Sequence, residues 1–437
     1  MPPGHKTHPA QSGTYHNSAH VDHRTHHSSR LDVKKSRQSL GVKKVQKVVE
    51  PKPPYHVPKK KSYGKHLNLS STQQYRHEPM EERHKHDRKA FALRAKLLEN
   101  GYKSPMTLDD FNLDRTLGEG AFGRVVLASV KSGAKWDKKW DKKVAIKCLD
   151  KQQVLEESQV EHTTNEKNLL FCLESPMLAT FYDFLVDKET IYFIMKLAPL
   201  EMFGMIHRAP YNGKLNVECT RFVAAQVVLA LDYLNNLEVV YRDLKPENMV
   251  VDHRGNTKLI DLGFAKRLCS STHRTYTLCG TPEYIAPEVL ANKGYSFSVD
   301  WWGVGVLVYE LRAGRSPFES FSELDLYRKI RACQYKFPSD FSIPEKLLIG
   351  GLLQIDPHKR LGVGAGGPDA VMKHPYFKGV DWAAMLALTV DSPIKVQLKS
   401  PDDVSNFEDD GDDDIRKPLK WKGKPVKNDY GGAFDHF

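Results

Sequence analysis

What the chain lacks narrows what it can be. It has no run of eighteen apolar residues, so no stretch is long enough to cross a membrane as a helix. Its opening, Met1-Pro2-Pro3-Gly4-His5-Lys6, has no apolar core of the kind a secretory leader needs. Position 2 is not Gly, which excludes myristoylation there. The six cysteines (Cys148, Cys172, Cys219, Cys269, Cys279, Cys333) contain no C-x-x-C pair. That argues against a disulfide framework or a zinc site, and for a reducing compartment. A cytoplasmic location is expected, with the nucleus also open to the protein. Residues 1–82 are poor in apolar side chains and rich in His, Lys, Ser, Gln and Pro. Such a segment cannot bury enough surface to fold alone and is expected to be a disordered, basic, His-rich tail.

The net charge of +11 belongs to that tail. Residues 1–89 hold 19 Lys and Arg against 7 Asp and Glu, and the remainder holds 46 against 47, so the body of the chain is balanced. The clusters Lys34-Lys35, Lys43-Lys44 and Lys59-Lys60-Lys61 could touch nucleic acid or anionic lipid, and the histidines could bind metal. A solvated tail accounts for both, so nucleic acid is not expected as the main partner. After the tail, residues 83–100 carry Phe91, Leu93, Ala95, Leu97 and Leu98 among charges at rough helical spacing, and Gly101 is placed to end a helix. A lone amphipathic helix there should pack on the domain that follows.

Chemistry first shows at Leu117-Gly118-Glu119-Gly120-Ala121-Phe122-Gly123-Arg124-Val125, a G-x-G-x-x-G-x-V loop between apolar runs. Glycines let a backbone approach phosphates. A dinucleotide-binding turn uses similar glycines but runs straight into a helix, whereas Val125-Val126-Leu127-Ala128 continues as a strand. The W-D-K-K repeat at 136–143 reads as a lengthened surface hairpin without chemistry. It precedes Val144-Ala145-Ile146-Lys147. A Lys ending a strand is common; here it has a candidate partner in Glu166, on a helical stretch at 160–173, although Glu166 could equally be one more exposed glutamate. The apolar strand 191–195 ends at Met195. Two long helices follow, at 217–237 and 299–311. The second is apolar on nearly every face, so its Asp300 is a buried acid in need of partners.

The densest signal is Tyr241-Arg242-Asp243-Leu244-Lys245-Pro246-Glu247-Asn248, with Asp261-Leu262-Gly263 close behind. An Asp that accepts a proton, a Lys that neutralises a moving phosphate and an Asn oxygen that holds Mg²⁺ are the equipment for phosphoryl transfer. A charged surface loop is the bland alternative, against which stand eight matching positions in order.

These strings, with Thr277-Leu278-Cys279-Gly280-Thr281-Pro282-Glu283-Tyr284-Ile285-Ala286-Pro287-Glu288 and Val299-Asp300-Trp301-Trp302, resemble the AGC group of protein kinases and its cyclic-AMP-dependent catalytic-subunit family. The resemblance implies an α+β, bilobal fold at 111–377, with a small β-rich N-lobe (111–196) and a larger helical C-lobe (197–377). It also implies an AGC-type C-terminal tail at 378–437. The 59 residues after Lys378, at roughly 3.3 Å each, can wrap back far enough for Phe407 to line the nucleotide site and for the F-x-x-F end (Phe434 to Phe437) to dock on the small lobe. A disordered solubilising run explains the acidic stretch 408–414 equally well.

By the same resemblance the cofactors are ATP and Mg²⁺. ATP would lie against Leu117, Gly118, Gly120, Phe122, Gly123, Val125, Ala145, Lys147, Met195 and Phe407. Lys147, oriented by Glu166, would hold the α and β phosphates; Asn248 and Asp261 would hold metal; Asp243 would be the base, and Lys245 would steady the γ-phosphate. Glu201, Glu247 and Glu310 would receive upstream arginines of protein substrates, above an apolar floor of Leu278, Pro282 and Ile285; three ordinary surface glutamates are the plainer reading. Thr277 would be an activation phosphosite met by His162, Arg242 and Lys266.

The chain departs from the family at several points. Its hinge reads Ala198-Pro199-Leu200-Glu201 in place of a Gly-Gly pair, Lys196 stands where an acid is usual, and Asp410 replaces a tail Tyr. No Ser or Thr lies in 415–427. Tyr276 and Phe297 alter the surface that would meet a cyclic-AMP-binding regulatory subunit, the partner the family implies. A catalytically silent kinase-fold scaffold and a tail-driven adaptor remain as other classes. The intact catalytic set argues against the first.

Overall fold

The computed structural model describes residues 80–437, apart from 121–122, 135–140, 209, 269–272, 365, 397, 401, 408–429, 431 and 436. All of these fall in one of the chain's two units, residues 67–437. The expected disordered tail up to residue 79, most of the W-D-K-K repeat, Phe122, the acidic run from 408 and the stretch 415–427 lie outside the described residues.

The first element, α1 (Met80–Glu99), begins three residues before the expected 83 and ends one residue before the expected 100. Glu81 and Glu82 in its first turn and Lys96 in its last complement the helix dipole. The turn at Gly101, with φ +74°, donates its N–H back to Leu98 and stops it. Phe91 is the helix's buried anchor, at 6 % exposure. Burying such a ring is worth about 1.5–3 kcal/mol. The Arg267 guanidinium lies over it at 4.8 Å.

A five-stranded antiparallel sheet follows, in the order β1-β2-β3-β5-β4. Its strands are β1 (Phe111–Gly120), β2 (Gly123–Val130), β3 (Lys143–Asp150), β4 (Phe181–Val186) and β5 (Thr190–Lys196). Two helices, α2 (Lys151–Glu156) and α3 (Val160–Cys172), cross between β3 and β4. The pleat sends Val144, Ile146 and Cys148 to one core, with Val126, Ala128 and Ile194, while Ala145 packs on the other face with Leu117 and Leu127.

Beyond β5 the chain turns helical. The short β6 (Leu200–Glu201), β8 (Met249–Val251) and β9 (Thr257–Leu259) form one small sheet, and β7 (Val239–Val240) pairs with β10 (Lys266–Arg267). The helices are α4 (Met202–His207), α5 (Val217–Asn236), α6 (Pro287–Leu290), α7 (Ser298–Ala313), α8 (Glu323–Arg331) and α9 (Ile343–Leu352), with shorter turns after them. Helix α5 is buried on almost every side. So is α7, whose Trp301 and Trp302 are fully enclosed. These two helices form the floor that fixes the loop 241–248.

A candidate phosphoryl-transfer site

The loop between β7 and β8 owes its shape to the acid on α7. Asp300 is 2 % exposed, and its two oxygens accept the backbone N–H groups of Tyr241 at 2.9 Å and Arg242 at 2.8 Å. Burial lifts its carboxyl to about 6, against the pull of those two donors. Arg242 adopts φ +71°, which turns the chain so that Asp243 faces the next residues of its own loop. Asn248 then donates through Nδ2 to the Asp243 carbonyl at 2.8 Å and to its carboxylate at 2.6 Å. Lys245 Nζ lies 3.1 Å from that carboxylate and donates to Thr281 Oγ1 at 2.9 Å. Thr281 in turn donates to the other Asp243 oxygen at 3.1 Å. The ring Asp243–Lys245–Thr281 closes, and it holds a proton acceptor and a cation side by side.

Across the cleft, Lys147 on β3 meets Glu166 on α3 at 2.7 Å. Burial pulls the ammonium down, but Glu166 and Asp261 more than offset it and hold Lys147 above its ordinary value. Burial likewise lifts the Glu166 carboxyl against the pull of Lys147. Asp261 is exposed, with φ +55°, and accepts the Gly263 N–H at 2.9 Å. Leu262 behind it is buried. Ile260 donates its N–H to the Asn248 carbonyl at 3.0 Å, which sets Asp261 beside Asn248.

The glycine loop is built on β1 and β2, which pair up to Gly120 opposite Gly123. A Cβ on Gly123 would lie 1.8 Å from the Cys148 carbonyl oxygen, so only glycine lets β2 come this close to β3. Below it, Leu117, Leu127, Ala145 and Leu197 form an apolar cluster, joined by Val125, Val404 and Phe407. Leu117, Val125, Ala145 and Phe407 are thus brought together, while Gly118 and Gly120 stand above them on β1. Met195 is the register partner of Ala145 and lies partly exposed at the end of β5. Leu197 and Val404 were not foreseen; the i, i+2 spacing of Met195 and Leu197 is the signal that could have found the first.

Among the described residues no group of three His, Cys, Asp or Glu is poised to hold a metal alone. The donors present, Asp261 and the Oδ1 of Asn248, still suit Mg²⁺, which is usually bound by one or two protein oxygens together with substrate phosphates and water.

Residues 111–377 match the protein kinase domain family. The chain belongs to the protein kinase family. Its relatives include the cAMP-dependent protein kinase catalytic subunit 2 of Drosophila melanogaster, 40% identical over 309 residues, covering 70% of this chain and 84% of the relative. The mouse cAMP-dependent protein kinase catalytic subunit PRKX is 37% identical over 307 residues, covering 70% and 83%. The Caenorhabditis elegans serine/threonine-protein kinase akt-2 is 38% identical over 307 residues, covering 70% and 56%. The protein is therefore a serine/threonine kinase of the AGC group, resembling the cAMP-dependent catalytic subunit. A kinase domain implies ATP and a divalent metal.

The kinase's acidic surface is partly engaged within the fold. Glu201 caps α4, its two oxygens accepting the N–H groups of Phe203 at 2.6 Å and Gly204 at 2.8 Å. Burial raises its carboxyl, the two donors oppose that, and Glu247 adds to the rise. Glu310 accepts the Tyr284 hydroxyl at 2.9 Å. Burial raises it to about 7, Tyr284 opposes, and the charges of Glu247 and Glu283 add to the rise. Glu247 itself is exposed. Of the apolar floor, Leu278 and Pro282 are exposed but Ile285 is buried, lining a small internal cavity with Leu244 and Tyr295. Ile285 therefore backs the surface rather than presenting itself on it.

Thr277 is exposed in the activation segment. Arg242 reaches toward it through an intermediary: its Nη1 donates to Tyr295 Oη at 3.2 Å, and Tyr295 donates to the Thr277 carbonyl at 2.6 Å. Arg242 Nε also donates to the Phe264 carbonyl at 2.6 Å, and the His162 ring stands edge-on to Phe264 at 6.3 Å. Lys266 is held by the β10–β7 pairing, opposite Val240. Tyr295 and Thr281 are further residues that the sequence reading missed. The segment's far end is anchored by Glu288, whose carboxylate takes both terminal nitrogens of the buried Arg360, at 2.6 and 2.9 Å. The altered hinge has its own partner, since Lys196 pairs with Asp141 at 2.9 Å. At the C-terminus, Lys151 lies over Tyr430 and Phe434, and Lys167 over Phe437, which seats the aromatic tail end on α2 and α3.

Proposed function

We propose that this kinase transfers the γ-phosphoryl group of ATP to Ser or Thr hydroxyls in proteins that carry Arg two and three residues upstream. The observation that carries the reading is the ring Asp243–Lys245–Thr281, held by Asp300 from below. Asp243 accepts the substrate hydroxyl's proton. Lys245 faces the γ-phosphate, and Lys147, steadied by Glu166, faces the α and β phosphates. Gly118, Gly120 and Gly123 cover the nucleotide, and Leu117, Val125, Ala145, Met195 and Phe407 surround its base. Mg²⁺, when bound through Asn248 and Asp261, supplies neutralisation of phosphate charge. Positioning and electrostatics then account for most of the acceleration, at about 3–4 kcal/mol for each group of this kind.

Glu201, Glu247 and Glu310 are the receivers of the upstream arginines. A planar guanidinium suits a carboxylate, and a cluster of acids that repel one another gains most from a cation placed among them. Control by a cyclic-AMP-binding regulatory subunit belongs to the same proposal. Tyr276, 63% exposed, and Phe297 would lie on its contact surface.

Phosphate transfer from labelled ATP to an Arg-containing Ser peptide tests the reading. Asp243→Asn should lower kcat at least about 100-fold while ATP binding is kept. A mutant that retains more than about a tenth of the wild-type kcat removes Asp243 from the role of base.

A further inference from the structure

The tail turn 404–407 is tied to both lobes, and no step of the reaction accounts for those ties. Asp403 folds the turn: its carboxylate accepts the N–H groups of Lys399 at 2.8 Å and Ser405 at 2.9 Å. Phe407 N–H closes it on the Val404 carbonyl at 3.1 Å. Folding in this way leaves the Val404 and Phe407 carbonyls aimed at one point. That point is a single nitrogen of Arg115 on β1, which donates to them at 2.9 and 3.1 Å. From the large lobe, Arg208 just after α4 donates to the Asn406 side chain at 3.3 Å. The side chains between these anchors, Val404 and Phe407, are the ones that pack on Leu117, Leu127, Ala145 and Leu197.

We propose that Arg115 is a positioning residue for the nucleotide, with Arg208 as its large-lobe counterpart. Arg115 touches no reacting atom. It locks the turn so that Phe407 closes the apolar wall of the cleft, and because the turn is anchored on both lobes, the same contacts resist lobe opening. The inference rests on the reading of this cleft as the ATP site. A guanidinium suits the task because one nitrogen can serve two carbonyls while the charge stays fixed at any working pH.

The full-length kinase carrying Arg115→Ala should show KM for ATP raised about 5- to 10-fold, the scale of one charge-assisted hydrogen bond. Its kcat and peptide KM should stay within about twofold of wild type, the pattern of lost ground-state binding. Arg115→Lys, which keeps the charge but not the fork, should fall between the two. In a Phe407→Ala background, Arg115→Ala should add nothing, because its route runs through that ring. Arg208→Ala, whose contact is exposed, should move KM for ATP in the same direction by about twofold.

An unchanged KM for ATP in Arg115→Ala overturns the proposal. So does an equal loss in the Phe407→Ala background, or a loss confined to kcat. Equilibrium binding of a fluorescent ATP analogue should give the same ranking without any turnover. A wild-type protein that binds the analogue but transfers no phosphate would thus refute the functional reading and leave the Arg115 question with its own answer. A melting temperature within a few degrees of wild type separates positioning from general unfolding.

Discussion

Glu310 gives the substrate-binding proposal a pH signature. Its carboxyl is lifted to about 7 by burial, with the Tyr284 hydroxyl opposing and the charges of Glu247 and Glu283 adding to the rise. In the free enzyme it is therefore mostly protonated at pH 6 and mostly ionised at pH 8. An arginine binds the ionised form. When it arrives, the guanidinium draws the carboxyl back well below neutrality, so binding releases a proton and strengthens as pH rises. With a free-enzyme value of about 7, the affinity gain from pH 6 to pH 8 is (1 + 10)/(1 + 0.1), or about tenfold. The assay is peptide KM, or direct binding, across that range, comparing an Arg-containing peptide with one in which the arginines are replaced by Ala. The Arg peptide should gain about tenfold and the Ala peptide should stay flat. Glu310→Gln should abolish the slope. A wild-type profile that is flat, or one that Glu310→Gln leaves intact, refutes the argument.

Two further perturbations test the parts that hold the site. Asp300 is raised to about 6 by burial. A carboxyl raised in the folded state stabilises fully below its unfolded value and loses that contribution as pH rises through the folded one. Melting temperature should therefore fall between about pH 4 and pH 6, a trend that Asp300→Asn should abolish. The same mutant can offer only one acceptor to the two N–H groups and should lose at least about tenfold in kcat; unchanged turnover would detach Asp300 from the loop's geometry. Thr277, exposed beside the Arg242–Tyr295 pair, should carry a phosphate in the active enzyme, and Thr277→Ala should lower activity at least about tenfold. Full activity with no phosphate on the 274–281 peptide, read by mass spectrometry, would end that assignment.

Sequence revealed those parts of the site whose geometry is settled within a few residues. Asp243, Lys245 and Asn248 share one loop, and a chain that turns at Arg242 has few ways to arrange them. Lys147 was assignable from the string Val144-Ala145-Ile146-Lys147, and strand alternation agrees with it: Val144 and Ile146 enter one core while Ala145 packs on the other face. Contacts between residues far apart in the chain stayed hidden. Thr281 reaches Asp243 across 38 residues, and Arg115 reaches Phe407 across 292. Neither has a local pattern to announce it, because each depends on where the backbone returns. Glu201 shows the opposite difficulty, a residue noticed for its charge whose oxygens also cap α4.

Tyr295 shows why such contacts matter to mechanism. Its hydroxyl accepts from Arg242, on the residue before Asp243, and donates to the carbonyl of the exposed Thr277. Its backbone is bridged to Thr275 in both directions, at 2.9 Å each way, so it cannot shift without moving the activation segment. A charge placed on Thr277 would act on a group already connected to the catalytic loop and, through the Phe264 carbonyl and ring, to His162 on α3. Helix α3 also carries Glu166, and Glu166 orients Lys147. The route from the segment to Lys147 is therefore a chain of contacts. Its weakest step is the edge-on packing of His162 and Phe264, at 6.3 Å between ring centroids, which holds by dispersion and quadrupole.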